Sequence, residues 1–562
     1  MKRRTRDVQP QARGSRRRPA RRTFQQEVVD LHRAIFRANQ QRINESVVGY
    51  TRAFQRYERE YARSVRRFQR RANSAELGRA IARADIIYVG DYHTLPQAQR
   101  AFLRVLRRIP ANRPLTVGLE FVQGRHQKAI DTYLKGPTNN ASDNAFLRAI
   151  DHESHWVFGG WSSFKPIFEL CRDRGARIIG IDSVGHGPAG SSLEARDRYA
   201  ARRISRVIRD DPKRVVAILV GELHLAPDHL PKHVDEMLAR HDLAPKRLIL
   251  FQNCQEFYWQ LERRGLEHDV ELVQIAADQY CMMNTPPIVC QQSFLNWLDL
   301  DVDDNDIPQL EAPEVNFKEY ARLIATFFDL PIRDELDEVE LATVVDLSFL
   351  ARLRRRGDFS PSDIQKIRRQ ILRSESLYIP RARMVYLGNL SVNHAAEEAT
   401  HFLRHVCAGS PEPKMLLDAF YVRCLEETLG FLGSKLINHK RKGPSLAWLE
   451  RQARSGTTSH STPKRERRMA RLVLKHLRME TGVRVRGMSQ VYECDADMFN
   501  AVTHILGYRL GDRLYYGLVH GQFSKQDIRE RFFDTFEEEG SALATYLYLI
   551  ASTAEVKLPE RL

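Results

Sequence analysis

The 562 residues contain only seven cysteines (171, 254, 281, 290, 407, 424 and 494), and no two of them form a CxxC pair. An odd, dispersed set excludes a disulfide framework and a zinc knuckle, and implies reduced thiols in a cytoplasmic chain. No apolar run approaches the roughly 18–20 residues that would cross a bilayer, so the chain is not expected to be transmembrane. The basic N-terminus has no apolar stretch behind it, which argues against a secretory signal. There is no G-x-S-x-G elbow, which argues against a serine-triad α/β hydrolase, and no HExxH zincin helix. Gly482–Gly487 has P-loop spacing but continues Met488-Ser489 instead of Lys-Ser/Thr, so nucleotide hydrolysis is not indicated.

Charge is unevenly placed. The chain carries a net +17, yet residues 1–74 alone hold 21 Lys+Arg against 6 Asp+Glu, or +15, leaving about +2 for the rest. A broadly basic nucleic-acid-binding surface is thereby excluded, and the charge belongs to an arm. Residues 1–22 are Arg-rich with few apolar groups and are expected to be disordered. From about 24 to 72, Val28, Leu31 and Ile35, then Phe54, Tyr57, Tyr61, Val65 and Phe68, recur at helical spacing. The arm reads as a solvated helical segment or, as a functional alternative, a contact for nucleic acid or an anionic membrane.

From residue 84 short apolar runs alternate with helical stretches. The runs are Asp85–Val89, Leu115–Gly118, Arg177–Ile181, Val215–Val220, Arg247–Phe251 and Val270–Ile275. Their Ile/Val content predicts strands buried on both faces of a parallel sheet. Helices are expected at about 96–108, 123–134, 163–174, 193–209 and 230–240. The fold class that follows is α/β, a central and mostly parallel sheet with flanking helices over about 75–300, plus a mainly α-helical C-terminal domain over 301–562. An acidic stretch at 299–306 marks the boundary, and the Ser/Thr-rich, basic segment 456–468 is the internal linker candidate.

Parallel strands deliver whatever follows them to one crevice. The first run ends in Gly90-Asp91-Tyr92-His93, the second in Gly118-Leu119-Glu120, the third in Asp182-Ser183, the fourth in Gly221-Glu222-Leu223-His224 and the fifth near Gln252-Asn253. Gly-x-x-His itself is weak, since it also occurs at 265–268 and 517–520, but only the pairs at 90–93 and 221–224 follow a strand run directly. Because the first turn reads G-D-Y-H and not GxGxxG, a dinucleotide cofactor is not expected.

These paired motifs, with Glu120 between them, resemble the ChaN/TIKI/erythromycin-esterase superfamily over about residues 75–300, and the ChaN branch most of all. Matching segments include Gln97, Phe121 and Gln127, Trp161 to Pro166, Arg196-Asp197-Arg198-Tyr199-Ala200, and Leu225. The resemblance implies an EreA/ChaN-like fold with either haem or a divalent transition metal (Fe, Mn, Zn or Co) at the site. In a haem binder, Tyr92 would be the phenolate ligand with His93 or His224 nearby, and the aromatic segment 155–161 could supply a porphyrin wall. In a metal-dependent hydrolase, His93, Glu120 and His224 would hold the metal, while Glu222 or Asp91 would act as general base beside His224. Asp182 would orient a histidine. The expected ligand is a small molecule, haem or a peptide. A scaffold role with a vestigial site is the third reading.

Further candidates are His186 between two glycines beyond the third run, the His152/His155 pair, and Glu398-x-x-His401. The last has the spacing found in di-iron bundles, although no second such motif accompanies it. Whether the helical half covers the site mouth or builds an oligomer is left open by the sequence.

Overall fold

The Ile- and Val-rich runs form the strands of one eight-stranded sheet. The computed structural model describes residues 22–46, 52–150, 160–183, 193–298, 311–332, 334–343, 346, 348–389, 391–410, 413, 415–454 and 464–560. Residues 1–21, the segment holding His152 and His155, His186, the acidic stretch 299–306, and residues 456–463 of the linker candidate lie outside the described residues.

The strands are β1 (Arg70–Arg71), β2 (Ile86–Asp91), β3 (Leu115–Gln123), β4 (Arg177–Asp182), β5 (Val215–Gly221), β6 (Arg247–Gln252), β7 (Leu272–Ala276) and β8 (Gln279–Met282), in the spatial order β1-β7-β8-β6-β2-β5-β3-β4. From β8 across to β4 all neighbours run parallel, and β7 is antiparallel to both β8 and β1. Burial on both faces explains the continuous apolar runs. One face packs on helices Pro96–Arg108 and Trp161–Asp173, through Phe102, Leu106, Phe164 and Phe168. The other packs on Leu193–Asp210, Leu230–Ala239 and Gln255–Glu262, through Ala201, Ile204, Val234 and Phe257. The chain changes face between β4 and β5, and β5 inserts between β2 and β3. The carboxyl ends of β2, β3 and β5 therefore meet at a switch in the winding, where open α/β sheets place their ligands.

β3 runs five residues past the expected end at Gly118, with a register shift against β4 between Leu119 and Gln123. Gly180 on β4 permits this shift, because a Cβ there would lie 2.5 Å from the Val122 carbonyl. Two strands were missed by periodicity: β8, whose partner β7 sits only three residues away, and the two-residue edge strand β1.

The N-terminal segment is more integrated than an arm. Helix α1 (Phe24–Ser46) buries Val28 and Ile35 in the core of the C-terminal half, and helix α2 (Arg52–Ser64) packs on the α/β layer, followed by Val65 in its core. Packing of the α/β unit thus begins well before residue 75.

The C-terminal half is largely helical, as expected, but it also holds a three-stranded sheet of β9 (Glu340–Thr343), β10 (Ser376–Ile379) and β11 (Met384–Leu387), ordered β10-β11-β9. Within this half β9 is followed by a helix at Phe349–Arg355. Four-residue strands beside Pro380 and Arg-rich turns give too short an alternation to register in the sequence. The core of this half extends to Leu95, Ile288 and Val289, with Tyr92 packed against it, so the helical half adjoins the turn after β2. Among the described residues, no helix is long and apolar enough to cross a membrane.

Candidate functional site

The two Gly-x-x-His turns fit into each other. Gly221, at the end of β5, leaves room for His93, whose Nε2 would be 3.1 Å from a Cβ at that position. Gly90, at the end of β2, leaves room for the Glu222 side chain, onto which a Cβ would fall. Each glycine thus admits the neighbouring strand's functional group. That reciprocity is the physical content of the matched motifs.

His93 is held from behind. Its Nδ1 donates to Asp91 Oδ2 at 3.0 Å, and Asp91 Oδ1 accepts from the buried Gln99 amide at 2.5 Å. Nε2 points toward Glu120, 3.7 Å from Oε2. Burial disfavours the imidazolium, but the charges of Glu120 and Asp91 more than offset it, and the His93 pKa is raised. Its side chain is 24% exposed, whereas that of His224 is 6% exposed.

Glu120 lies between the two histidines, with His224 Nε2 at 3.6 Å from Oε1. Its carboxylate is already engaged: Arg196 donates to Oε1 at 2.5 Å and the Gly221 amide donates to Oε2 at 2.6 Å. Against the cost of burial, Arg196 and the two imidazoles hold Glu120 well below the usual carboxylate range. Arg196 also donates from Nε to Asp182 Oδ1 at 2.8 Å. Asp182 therefore serves this guanidinium, where the sequence reading had it orient a histidine.

His224 is fixed by groups that sequence reasoning missed. Nδ1 donates to Asp197 Oδ1 at 2.6 Å, and the Tyr57 hydroxyl of α2 bonds the other Asp197 oxygen while lying 3.1 Å from Nδ1. Tyr57 stacks on His229 at 3.6 Å. Burial opposes the charge on His224, but Asp197 and Glu120 push its pKa up to about 9. Asp197 could have been noticed as an acid on the apolar face of its helix, in line with Ala200, Ala201 and Ile204. Tyr57 offered no such signal, because an aromatic at helical spacing looks like any core residue.

Glu222 does not join this group. It lies toward β6, where Oε1 accepts from the Gln252 amide and Oε2 from the Tyr61 hydroxyl at 2.5 Å, with Cys254 Sγ at 3.8 Å. Burial is the main cause that raises its pKa to about 7, against the opposing bonds from Tyr61 and Gln252. Tyr92 is half-buried and packs toward the helical half. Of the aromatic segment 155–161, only Gly160 and Trp161 are described, and Trp161 packs on Phe121, Tyr133, Phe146 and Phe168.

His93, Glu120 and His224 thus share one cleft, with Asp91, Asp182 and Asp197 each holding one of the groups that face it. Among the described residues, the one set of three His, Cys, Asp or Glu residues whose ligand atoms lie within 4.8 Å of one another is elsewhere, at Glu397, Glu427 and His504.

No curated protein matches the chain. A solved structure described as cofacial heme binding to ChaN of Campylobacter jejuni is similar at 13% identity with a TM-score of 0.23, covering 33% of this chain and 87% of that one. Residues 77–184 match the family model described as haem-binding uptake, Tiki superfamily, ChaN; they include Asp91, Tyr92, His93, Glu120 and Asp182 and end before Arg196, Asp197 and His224. Over residues 77–184 the α/β part of this chain is therefore similar to the ChaN-like haem-binding family.

Proposed function

We propose that this protein binds haem at the carboxyl edge of its sheet, with His93 as the imidazole donor to the iron and Tyr92 as the adjoining phenol. The observation that carries this reading is the posture of His93. Asp91 takes Nδ1, which fixes the tautomer and orientation as second-sphere acids do for ligating histidines, and leaves Nε2 on the side of Glu120, 3.7 Å from its Oε2. The side chain is also the more exposed of the two site histidines. The family description of residues 77–184 supports haem as the ligand class.

The donor set suits the group. Haem iron accepts axial imidazole nitrogen or phenolate oxygen, and the protein tunes it through those ligands and their hydrogen bonds. Asp91 would raise the basicity of His93. Arg196, anchored by Glu120 and Asp182, keeps a positive charge at the cleft wall. His224, with Asp197 and Tyr57 behind it, closes the inner side.

A hydrolase built on His93, Glu120 and His224 fits less well. Glu222 is engaged at β6 by the Gln252 amide and the Tyr61 hydroxyl and is not poised beside the two histidines as a base. Titrating the purified full chain with haemin and following the Soret band tests the proposal. Saturation near one haemin per chain is expected, with affinity at least about tenfold weaker in His93→Ala. Equal affinity in the parent and His93→Ala, or no saturable change, would overturn it.

A further inference from the structure

The helical half contains a second cluster of ligating groups, unrelated to the sheet cleft. On helix Val392–Ala408, Glu397 and His401 are four residues apart and so share a face. Helix Leu416–Ile437 adds Glu427, and helix Ala496–Val519 adds His504. Ligand atoms of Glu397, Glu427 and His504 all lie within 4.8 Å of one another, although each comes from a different helix. Together with His401 they line a cavity of about 440 Å³.

The Glu-x-x-His motif that the sequence offers is Glu398 with His401, and the structure gives Glu398 a supporting place. Its carboxylate accepts from the Ser376 hydroxyl and the Tyr378 amide, both at 2.7 Å, and from His401 Nδ1 at 3.2 Å. With Nδ1 as donor, the lone pair of His401 sits on Nε2. That nitrogen is buried and has no hydrogen-bond partner. Leaving such a group unsatisfied costs about 1–3 kcal/mol, so a buried orphan nitrogen beside three ligating side chains calls for an occupant.

Gly430 provides the room. A Cβ there would fall on His401 Nε2 and lie 3.2 Å from Glu397 Cγ, so any other residue would fill the space between them. Arg441, at 2.7 Å from Glu397, and Arg423, which pairs with Glu426 and Glu427, hold these carboxylates around the cavity.

We infer that the helical domain binds one divalent transition-metal ion through Glu397, Glu427 and His504, with His401 Nε2 as a further nitrogen donor. Carboxylates mixed with imidazoles select borderline ions such as Mn, Fe, Co or Zn over Ca or Mg. Glu398 is the positioning residue for His401, in the way that second-sphere carboxylates orient ligating histidines. Tyr508, whose hydroxyl donates to both Glu397 oxygens at 2.6 and 2.7 Å, and Arg441 hold Glu397 in place.

The test is a cobalt titration. Full chain stripped with a chelator is titrated with Co²⁺, following visible d–d absorption and binding heat. One Co²⁺ per chain is expected, with affinity about 10–100-fold weaker in Glu427→Gln and in His504→Ala. His504 has a 36% exposed side chain, so its replacement leaves the fold intact even if Glu427→Gln, which strips Arg423 of a partner, does not. His93→Ala should bind Co²⁺ as the parent does. Absence of saturable Co²⁺ binding, or equal binding by the parent and His504→Ala, would overturn the inference. Loss of Co²⁺ in His93→Ala with retention in His504→Ala would do so as well, by placing the ion in the sheet cleft.

Discussion

Arg196, a quarter exposed, and the buried Glu120 form an ion pair at 2.5 Å, and the same guanidinium reaches Asp182 at 2.8 Å. One cation from the helix after β4 therefore compensates carboxylates from two neighbouring strands. Removing one partner of a buried pair costs more than the pair contributes, since a charge is left without compensation. Arg196→Ala is expected to lower unfolding stability by about 3–5 kcal/mol. Arg196→Lys should recover only part, because a point charge cannot serve both acids in the fork geometry of guanidinium. Urea denaturation of both variants measures this, and a loss below about 1 kcal/mol in Arg196→Ala would remove the pair from the account.

The interlocked glycines give two different expectations. Gly221→Ala would place a methyl 3.1 Å from His93 Nε2 and 3.4 Å from Glu120 Oε2, so the imidazole must shift. Weaker haemin binding with a nearly unchanged melting temperature is expected. Gly90→Ala would collide with the half-buried Glu222 carboxylate, an overpacking that costs about 1–3 kcal/mol. Calorimetry should show that loss in Gly90→Ala alone.

These glycines also show where the sequence was legible. Continuous Ile/Val runs ending in polar turns revealed the central parallel strands and which of their ends bear polar side chains, because both properties are local. The role of each acid was not local. Asp91 and Asp182 could have been bases or ligands by residue type, and only packing puts Asp91 behind His93 and Asp182 behind Arg196. Glu222 and His224 are two residues apart yet serve different surroundings, a divergence that follows from the turn after Gly221. Tyr57 reaches Asp197 and His224, and Tyr61 reaches Glu222, across more than 130 residues of chain, and no spacing rule spans that distance. For the Glu397–Glu427–His504 cluster the sequence offered only the adjoining Glu398-x-x-His401 motif, because its three members come from three different helices.

Helix α2 acts as a strap over the buried histidine. The Tyr57 hydroxyl bonds Asp197 and lies against His224 Nδ1. Tyr57→Phe removes a donor from a buried carboxylate, and a loss of about 1–3 kcal/mol is expected in thermal or urea unfolding. A variant as stable as the parent would show that α2 does not secure the site.

Acid should loosen the junction between α1 and the rest of the molecule. Burial is the main cause that lowers the His32 pKa to about 4, even though its Nε2 bonds the Leu436 carbonyl at 2.7 Å. Because the folded value lies below the ordinary 6.5, the stability held by neutral His32 is complete above pH 6.5 and is lost as pH falls toward 4. His439, stacked on His32 with both ring nitrogens buried and unpartnered, is also held well below the usual range by burial and by His268 and His32. His439→Leu should flatten the stability loss between pH 6.5 and 4 in urea titrations. An unchanged slope would remove this cluster as the cause.

The central claim is that His93 delivers its Nε2 to a haem iron while Asp91 holds Nδ1. Low-temperature electron paramagnetic resonance of the haemin-loaded full chain reads the axial field at the iron directly. His93→Ala is expected to change the ferric signal, and Asp91→Asn, which weakens the grip on Nδ1, to shift it less. Ferric signals indistinguishable between the parent and His93→Ala at full haemin loading would contradict it.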